Sequence, residues 1–155
     1  MVIVLDNIRS IQNVGTIFRT ADAINVEKIY LCGITPSPLD EFGRKRQQLV
    51  KISLGAENSI KWGKCKQTYR VLDDLKKQGY RIYVVEQAKN SIPYFKVKIS
   101  NRKKIVLVLG HELGGVSKST LKRADKILEI PMAGSKQSLN VAIAGAIVMF
   151  HLEYT

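Results

Sequence analysis

Three short segments hold residues whose types and spacing suit chemistry at a ligand site. The first runs Asp6-Asn7-Ile8-Arg9-Ser10-Ile11-Gln12-Asn13-Val14-Gly15-Thr16-Ile17-Phe18-Arg19-Thr20-Ala21. Asn13 stands where a helix N-cap is expected, a role that would hold backbone N–H groups. Arg19 follows six residues later, and on a helix surface it would have Asp22 as an i+3 partner. The second segment is Leu109-Gly110-His111-Glu112-Leu113-Gly114-Gly115, which follows an apolar run. Its glycines permit tight turns and a close approach of ligand to main chain. Glu112 sits where a GxGxxG fingerprint needs its second glycine, and the GK[ST] ending of a P-loop is missing. A carboxylate inside such a turn points to a site of another kind. The third segment is Ile130-Pro131-Met132-Ala133-Gly134-Ser135-Lys136-Gln137-Ser138-Leu139-Asn140-Val141. Ser138 suits the N-cap of the helix that follows. Asn140 would then fall in its first turn, where an amide does not help the helix, so it reads as a site residue.

The elements that must position these segments alternate between strand and helix. Val2–Leu5 and Ile105–Leu109 are continuous apolar runs, as expected of strands buried on both faces. Residues 28–31, 81–85 and 126–130 read as further strands. Helical patterns cover 14–23, 71–78 and 139–151, with short helices near 49–55 and around Leu121; Gly79 suits a helix end. This alternation predicts one α/β domain over residues 1–155, with a mostly parallel sheet and helices on both faces. In such sheets ligands bind beyond the carboxyl ends of the strands, where all three segments fall. Between Val141 and Leu152 only His151 is polar, so the terminal helix must be covered on most sides. One face is expected on the sheet and the other on a second subunit.

Composition narrows the partners. Lys and Arg total 25 against 13 acidic residues, a formal charge of +12, and such a surface concentrates polyanions. The excess is uneven. Phe42 to Arg70 holds eight cations (Arg44, Lys45, Arg46, Lys51, Lys61, Lys64, Lys66 and Arg70), one acid, Glu57, and the aromatics Trp62 and Tyr69. Cations of this kind neutralise phosphates and aromatic rings stack on exposed bases, so RNA or DNA contact is expected, with Arg44, Lys45, Arg46 and Lys51 as its candidates. Cys32 and Cys65 make no CxxC pair and no zinc spacing exists, so neither a metal nor a disulfide framework is expected. The N-terminus reaches Asp6 without a basic leader, and the longest apolar run is short for a membrane span. A cytoplasmic protein without a membrane anchor is the expectation.

Taken together and in order, the three segments resemble the TrmH (SpoU) class of the SPOUT methyltransferase superfamily. The resemblance covers essentially the whole chain. It rests on Asn13-Val14-Gly15 with Arg19-Thr20-Ala21, on Gly110 through Ser117, and on Ile130-Pro131-Met132 followed by Ser138-Leu139-Asn140-Val141. Val50–Glu57 also looks like the family's basic connecting stretch. The resemblance implies a C-terminal deep trefoil knot that binds S-adenosylmethionine, and a homodimer through the C-terminal helix. Pattern reasoning alone would have rejected a knot. Carried over residue by residue, Gly110, Ile130, Met132, Ser138 and Leu139 would hold the cofactor. Arg19 would be catalytic, supported by Asn13, Glu112, Ser138 and Asn140.

The implied reaction is methylation of a ribose 2′-hydroxyl in RNA, which needs no metal because the sulfonium already makes the methyl electrophilic. Arg19 stays protonated in proteins, so its implied role is to stabilise the developing alkoxide and clamp a phosphate, with the base left open between a phosphate and Glu112. No N-terminal substrate domain of the kind that many rRNA-modifying members carry is expected here, and that expectation favours tRNA over rRNA and the wobble position among its nucleotides. Two other classes compete. A non-catalytic basic RNA-binding module would explain the charge but not the three loops, and a dinucleotide-dependent oxidoreductase would lack its glycine fingerprint.

Overall fold

The computed structural model describes residues 1–99 and 104–155. Its frame is a seven-stranded sheet of β1 (Val2–Asp6), β2 (Lys28–Cys32), β3 (Lys61–Cys65), β4 (Arg81–Val85), β5 (Ile92–Pro93), β6 (Ile105–Gly110) and β7 (Lys126–Glu129). All pairings are parallel, in the order β3-β2-β1-β6-β4-β7-β5. The two continuous apolar runs, β1 and β6, therefore lie side by side at the centre, with Val2 beside Val106 and Asp6 beside Gly110.

Side chains of these strands alternate between two cores. Ile3, Leu5, Leu107 and Leu109 face α1 (Ile11–Ala23) and α6 (Val141–Tyr154), while Val2, Val4, Val106 and Val108 face α4 (Thr68–Lys77). Burial on both faces explains why neither strand shows the alternating polarity of a half-exposed one. The short helices α2 (Gln47–Ser53), α3 (Ala56–Ser59) and α5 (Lys118–Leu121) complete the two layers. α6 comes close to the sheet at Gly145, where an added Cβ would meet Leu109 Cδ1 at 2.6 Å.

Two strands and several helix boundaries differ from the sequence reading. β3, Lys-Trp-Gly-Lys-Cys, lies at the sheet edge with Lys61 and Lys64 exposed, so it has no apolar run to betray it. β5 is only two residues long at the opposite edge. α1 begins at Ile11 with Ser10 as its N-cap, whose side chain accepts from the Asn13 N–H; Asn13 is inside the first turn. α6 begins at Val141 with Asn140 as its N-cap, so Ser138 does not hold that role. No helix among the described residues is long and apolar enough to cross a membrane.

Candidate active site

Because every strand is parallel, the carboxyl ends of β4, β6 and β7 open on the same edge of the sheet. A cavity of about 260 Å³ lies there. Its wall combines apolar side chains from strand ends and α6, including Leu109, Leu128, Val141 and Ala144, with the polar groups of three loops. Of the residues expected to hold a cofactor, Gly110, Ile130, Met132 and Leu139 line it. Ser138, one residue before Leu139, is exposed and does not.

The loop after β6 closes on itself as a small hairpin. His111 and Gly115 exchange main-chain hydrogen bonds of 3.1 and 2.9 Å. His111 Nδ1 accepts from the N–H groups of Leu113 and Gly114, at 3.1 and 3.0 Å, which puts the ring proton of the neutral form on Nε2. Gly115 has φ of +63° and no room for a side chain, since a Cβ would stand 2.2 Å from Glu86 Oε2. Glu86 in turn accepts from the Val116 N–H at 2.9 Å, so the end of β4 grips the end of this hairpin.

The grip fixes Glu112, which reaches across to the entrance of α1. Its carboxylate accepts from the N–H groups of Arg9 (3.1 Å) and Ser10 (3.0 Å) and from Asn13 Nδ2 (3.0 Å). The Asn13 Oδ1 accepts from Asn140 Nδ2 at 3.0 Å, and Asn140 Oδ1 accepts from the N–H groups of Ala142 and Ile143 at 2.8 and 3.3 Å. One chain of hydrogen bonds thus joins all three segments, from the β6 hairpin through α1 to the first turn of α6. Burial raises the Glu112 pKa, but the N–H donors of Ser10 and Arg9 and the Asn13 amide outweigh it, and the carboxyl lies below its ordinary value. A carboxylate so held is a poor proton acceptor at neutral pH and a good clamp.

Arg19 stands apart from this cluster. It is exposed on α1, does not line the cavity, and among the described residues forms no ion pair with Asp22. Arg44 and Lys45 are exposed in the connection between β2 and α2, Lys51 is exposed on α2, and Arg46 is half-buried with its Nε donating to the Ser37 carbonyl at 3.1 Å. The sequence reading missed Glu86, Gln87 and Glu129, which bring polar groups to the cavity. Their one sequence signal was position, since each stands at or just beyond the carboxyl end of a strand. No group of His, Cys, Asp and Glu among the described residues is placed to hold a metal ion.

Comparison with known proteins agrees with this geometry. Residues 1–150 match the model of the SpoU rRNA Methylase family. The chain is 30% identical over 153 residues to the tRNA (guanosine(18)-2′-O)-methyltransferase of Aquifex aeolicus, covering 99% of this chain and 68% of that one. It is 30% identical over 151 residues to the 23S rRNA (guanosine(2553)-2′-O)-methyltransferase RlmP of Bacillus subtilis, covering 97% of this chain and 57% of that one. Among solved structures, the AdoMet-bound rRNA methyltransferase of Sinorhizobium meliloti superimposes with a TM-score of 0.87 at 29% identity, over 97% of this chain and 54% of that one.

Proposed function

Since the chain belongs to the SpoU rRNA Methylase family, we propose that it is an RNA methyltransferase that moves the methyl group of S-adenosylmethionine to a ribose 2′-hydroxyl. The observation that carries the reading is the hydrogen-bonded chain Glu112–Asn13–Asn140, which gathers the three segments at the cavity. The residues present fit the cofactor. Leu109, Leu128, Ile130, Met132 and Val141 offer apolar surface to an adenine ring and a methionine side chain, and the carboxylates Glu86 and Glu129 oppose the charge of a sulfonium. Gly110, Ile130, Met132 and Leu139 are the proposed holders, with Ser138 close to them. When bound, the cofactor supplies an electrophilic methyl group.

The protein's own part is to place and charge-balance the hydroxyl that attacks. We assign Arg19 to the developing alkoxide and an adjacent phosphate, because a guanidinium offers five donors and cannot act as a base. Asn13, Asn140 and Glu112 are assigned to positioning, because three donors hold the Glu112 carboxylate in place and keep its pKa below the ordinary value. Ser138, exposed beside the mouth, completes the proposed set.

Arg44, Lys45, Arg46 and Lys51 are proposed phosphate contacts. We propose tRNA as the substrate in preference to rRNA, and the wobble nucleotide within it; the Aquifex relative, named for tRNA, and the Bacillus relative, named for 23S rRNA, both support RNA as the substrate class. The chain is proposed to act as one domain in the cytoplasm, with a C-terminal deep trefoil knot. A homodimer through α6 is proposed because Ile143, Phe150 and Tyr154 are left exposed on that helix. Mapping of 2′-O-methyl sites in total RNA, with and without the protein and the cofactor, tests the whole reading. New sites in tRNA are expected. New sites in rRNA alone would correct the substrate, and none, with no heat of cofactor binding, would leave an RNA-binding module.

A further inference from the structure

The connection between β2 and α2 is built around a hairpin that presents an aromatic ring to solvent. Leu39 and Lys45 form an antiparallel bridge. Asp40 N donates to the Arg44 carbonyl at 2.8 Å and Gly43 N to the Asp40 carbonyl at 3.0 Å. The Asp40 carboxylate then fixes the tip: Oδ1 accepts from the N–H groups of Phe42 and Arg44, both at 2.9 Å, and Oδ2 from Arg44 Nε at 2.9 Å. Arg46 ties the base of the hairpin, with its N–H donating to the Pro38 carbonyl at 2.8 Å. A loop with this many internal hydrogen bonds holds its tip in one place before any partner arrives, which spares ordering cost on binding.

At the tip Phe42 is 72% exposed, with the Arg44 guanidinium 4.9 Å from the ring centroid. Ile34 and Leu39 add exposed apolar surface in the same connection. A phenyl ring held in water is costly unless something covers it. With Asp40 paired to Arg44, the cations Lys45 and Arg46 outweigh the one remaining acid of the hairpin, Glu41. That balance disfavours the same face of a second copy and favours a polyanion with flat apolar groups. The hairpin leaves the carboxyl end of β2, on the sheet edge where the cavity also opens.

We propose that Phe42 is a stacking platform for an unpaired base of the RNA substrate, with Arg44 and Lys45 on the neighbouring phosphates, so that the preferred substrate presents a single-stranded loop. The proposal rests on the RNA reading above and adds to it the class of RNA. In a duplex the base faces are stacked on one another and no ring can insert without unstacking them, whereas a loop base offers a free face.

The test compares wild type, Phe42→Ala and Phe42→Trp on two synthetic RNAs: a stem-loop with 2-aminopurine in the loop, and the same stem extended as an uninterrupted duplex. Wild type should bind the stem-loop more tightly and quench the 2-aminopurine. Phe42→Ala should weaken stem-loop binding by about tenfold, leave duplex binding unchanged and lose the quenching, while Phe42→Trp should retain both. S-adenosylmethionine affinity, read by calorimetry, should be the same in all three. The proposal is overturned if Phe42→Ala binds the stem-loop like wild type, or loses stem-loop and duplex equally. A wild type that binds neither RNA would bring down the RNA reading itself, a pattern distinct from both.

Discussion

Replacing Glu112 separates a clamp from a base. In Glu112→Ala the N–H groups of Arg9 and Ser10 lose their acceptor at an exposed position, where water replaces it at little cost. Asn13 is different: it is buried, and its Nδ2 would lose its acceptor where water is scarce, at about 1–3 kcal/mol. Because Asn13 also holds Asn140, slackening there adds part of a helix-cap loss, about 1 kcal/mol. A total of about 1–4 kcal/mol corresponds to a fall in melting temperature of roughly 2–16 °C for a chain of this size. Glu112→Gln keeps one acceptor oxygen but turns an amide donor toward a main-chain donor, and should cost less. The pH dependence has a definite sign. A carboxyl lowered in the folded state contributes its stability above the ordinary carboxylate range and loses it as pH falls toward the lowered value. The stability gap between wild type and Glu112→Gln should therefore be full at neutral pH and shrink in acid. Thermal melts across pH, with single-turnover methylation on the same samples, read both effects. A clamp predicts a modest rate loss and an unchanged pH–rate profile. Unaltered melting in Glu112→Ala, with a rate loss of about a hundredfold or more and the acid limb of the profile abolished, would refute the clamp and make Glu112 the base.

Arg19→Lys should lower single-turnover methyl transfer by roughly a hundredfold with cofactor affinity unchanged, because lysine keeps the charge but not the planar fork; near wild-type rates would remove Arg19 from the chemistry. Changing Arg44, Lys45 and Arg46 together to Ala should weaken RNA binding and flatten its dependence on salt, as fewer counterions are released, and equal affinity across a salt series would contradict the assignment. Phe150→Glu should convert a dimer to monomer in sedimentation without loss of folding, since Phe150 is 44% exposed and faces no core; wild type that sediments as a monomer at micromolar concentration would end the dimer proposal. Ile147 is half-buried, so a charge there tests packing as much as association.

What was legible in the sequence follows from what each element must hide. β1 and β6 are buried on both faces, so their residues had to be apolar without interruption, and the sequence shows it. β3 packs only Trp62 and Cys65 against the cores, both half-buried, and β5 is too short to show a pattern, so both were silent. In the site, residue types singled out Asn13, Glu112 and Asn140, which hydrogen bonds join, because the loops that hold them follow legible strands or precede a legible helix. Their contacts were not legible. A Glu112 carboxylate bonded 99 residues away to an amide in α1 depends on β1 and β6 being neighbours, which no local pattern states.

The two displaced caps carry a further lesson about how this site is built. A helix cap and a site residue call for the same short polar side chains, so the sequence offered Ser138 and Asn140 as alternatives, one structural and one functional. Asn140 unites the two roles: its Oδ1 starts α6 while its Nδ2 reaches Asn13. Neither bond can be made without fixing the other, because a planar amide points its oxygen and nitrogen in set directions. The position of α6 is thereby written into the site. A shift of that helix, whether from a packing change at Gly145 or from contact on its exposed Ile143 and Phe150, moves Asn140, draws on Asn13 and reaches the carboxylate of Glu112. Loss of the proposed dimer should then reach methyl transfer through geometry, even where the dimer partner supplies no group to the chemistry.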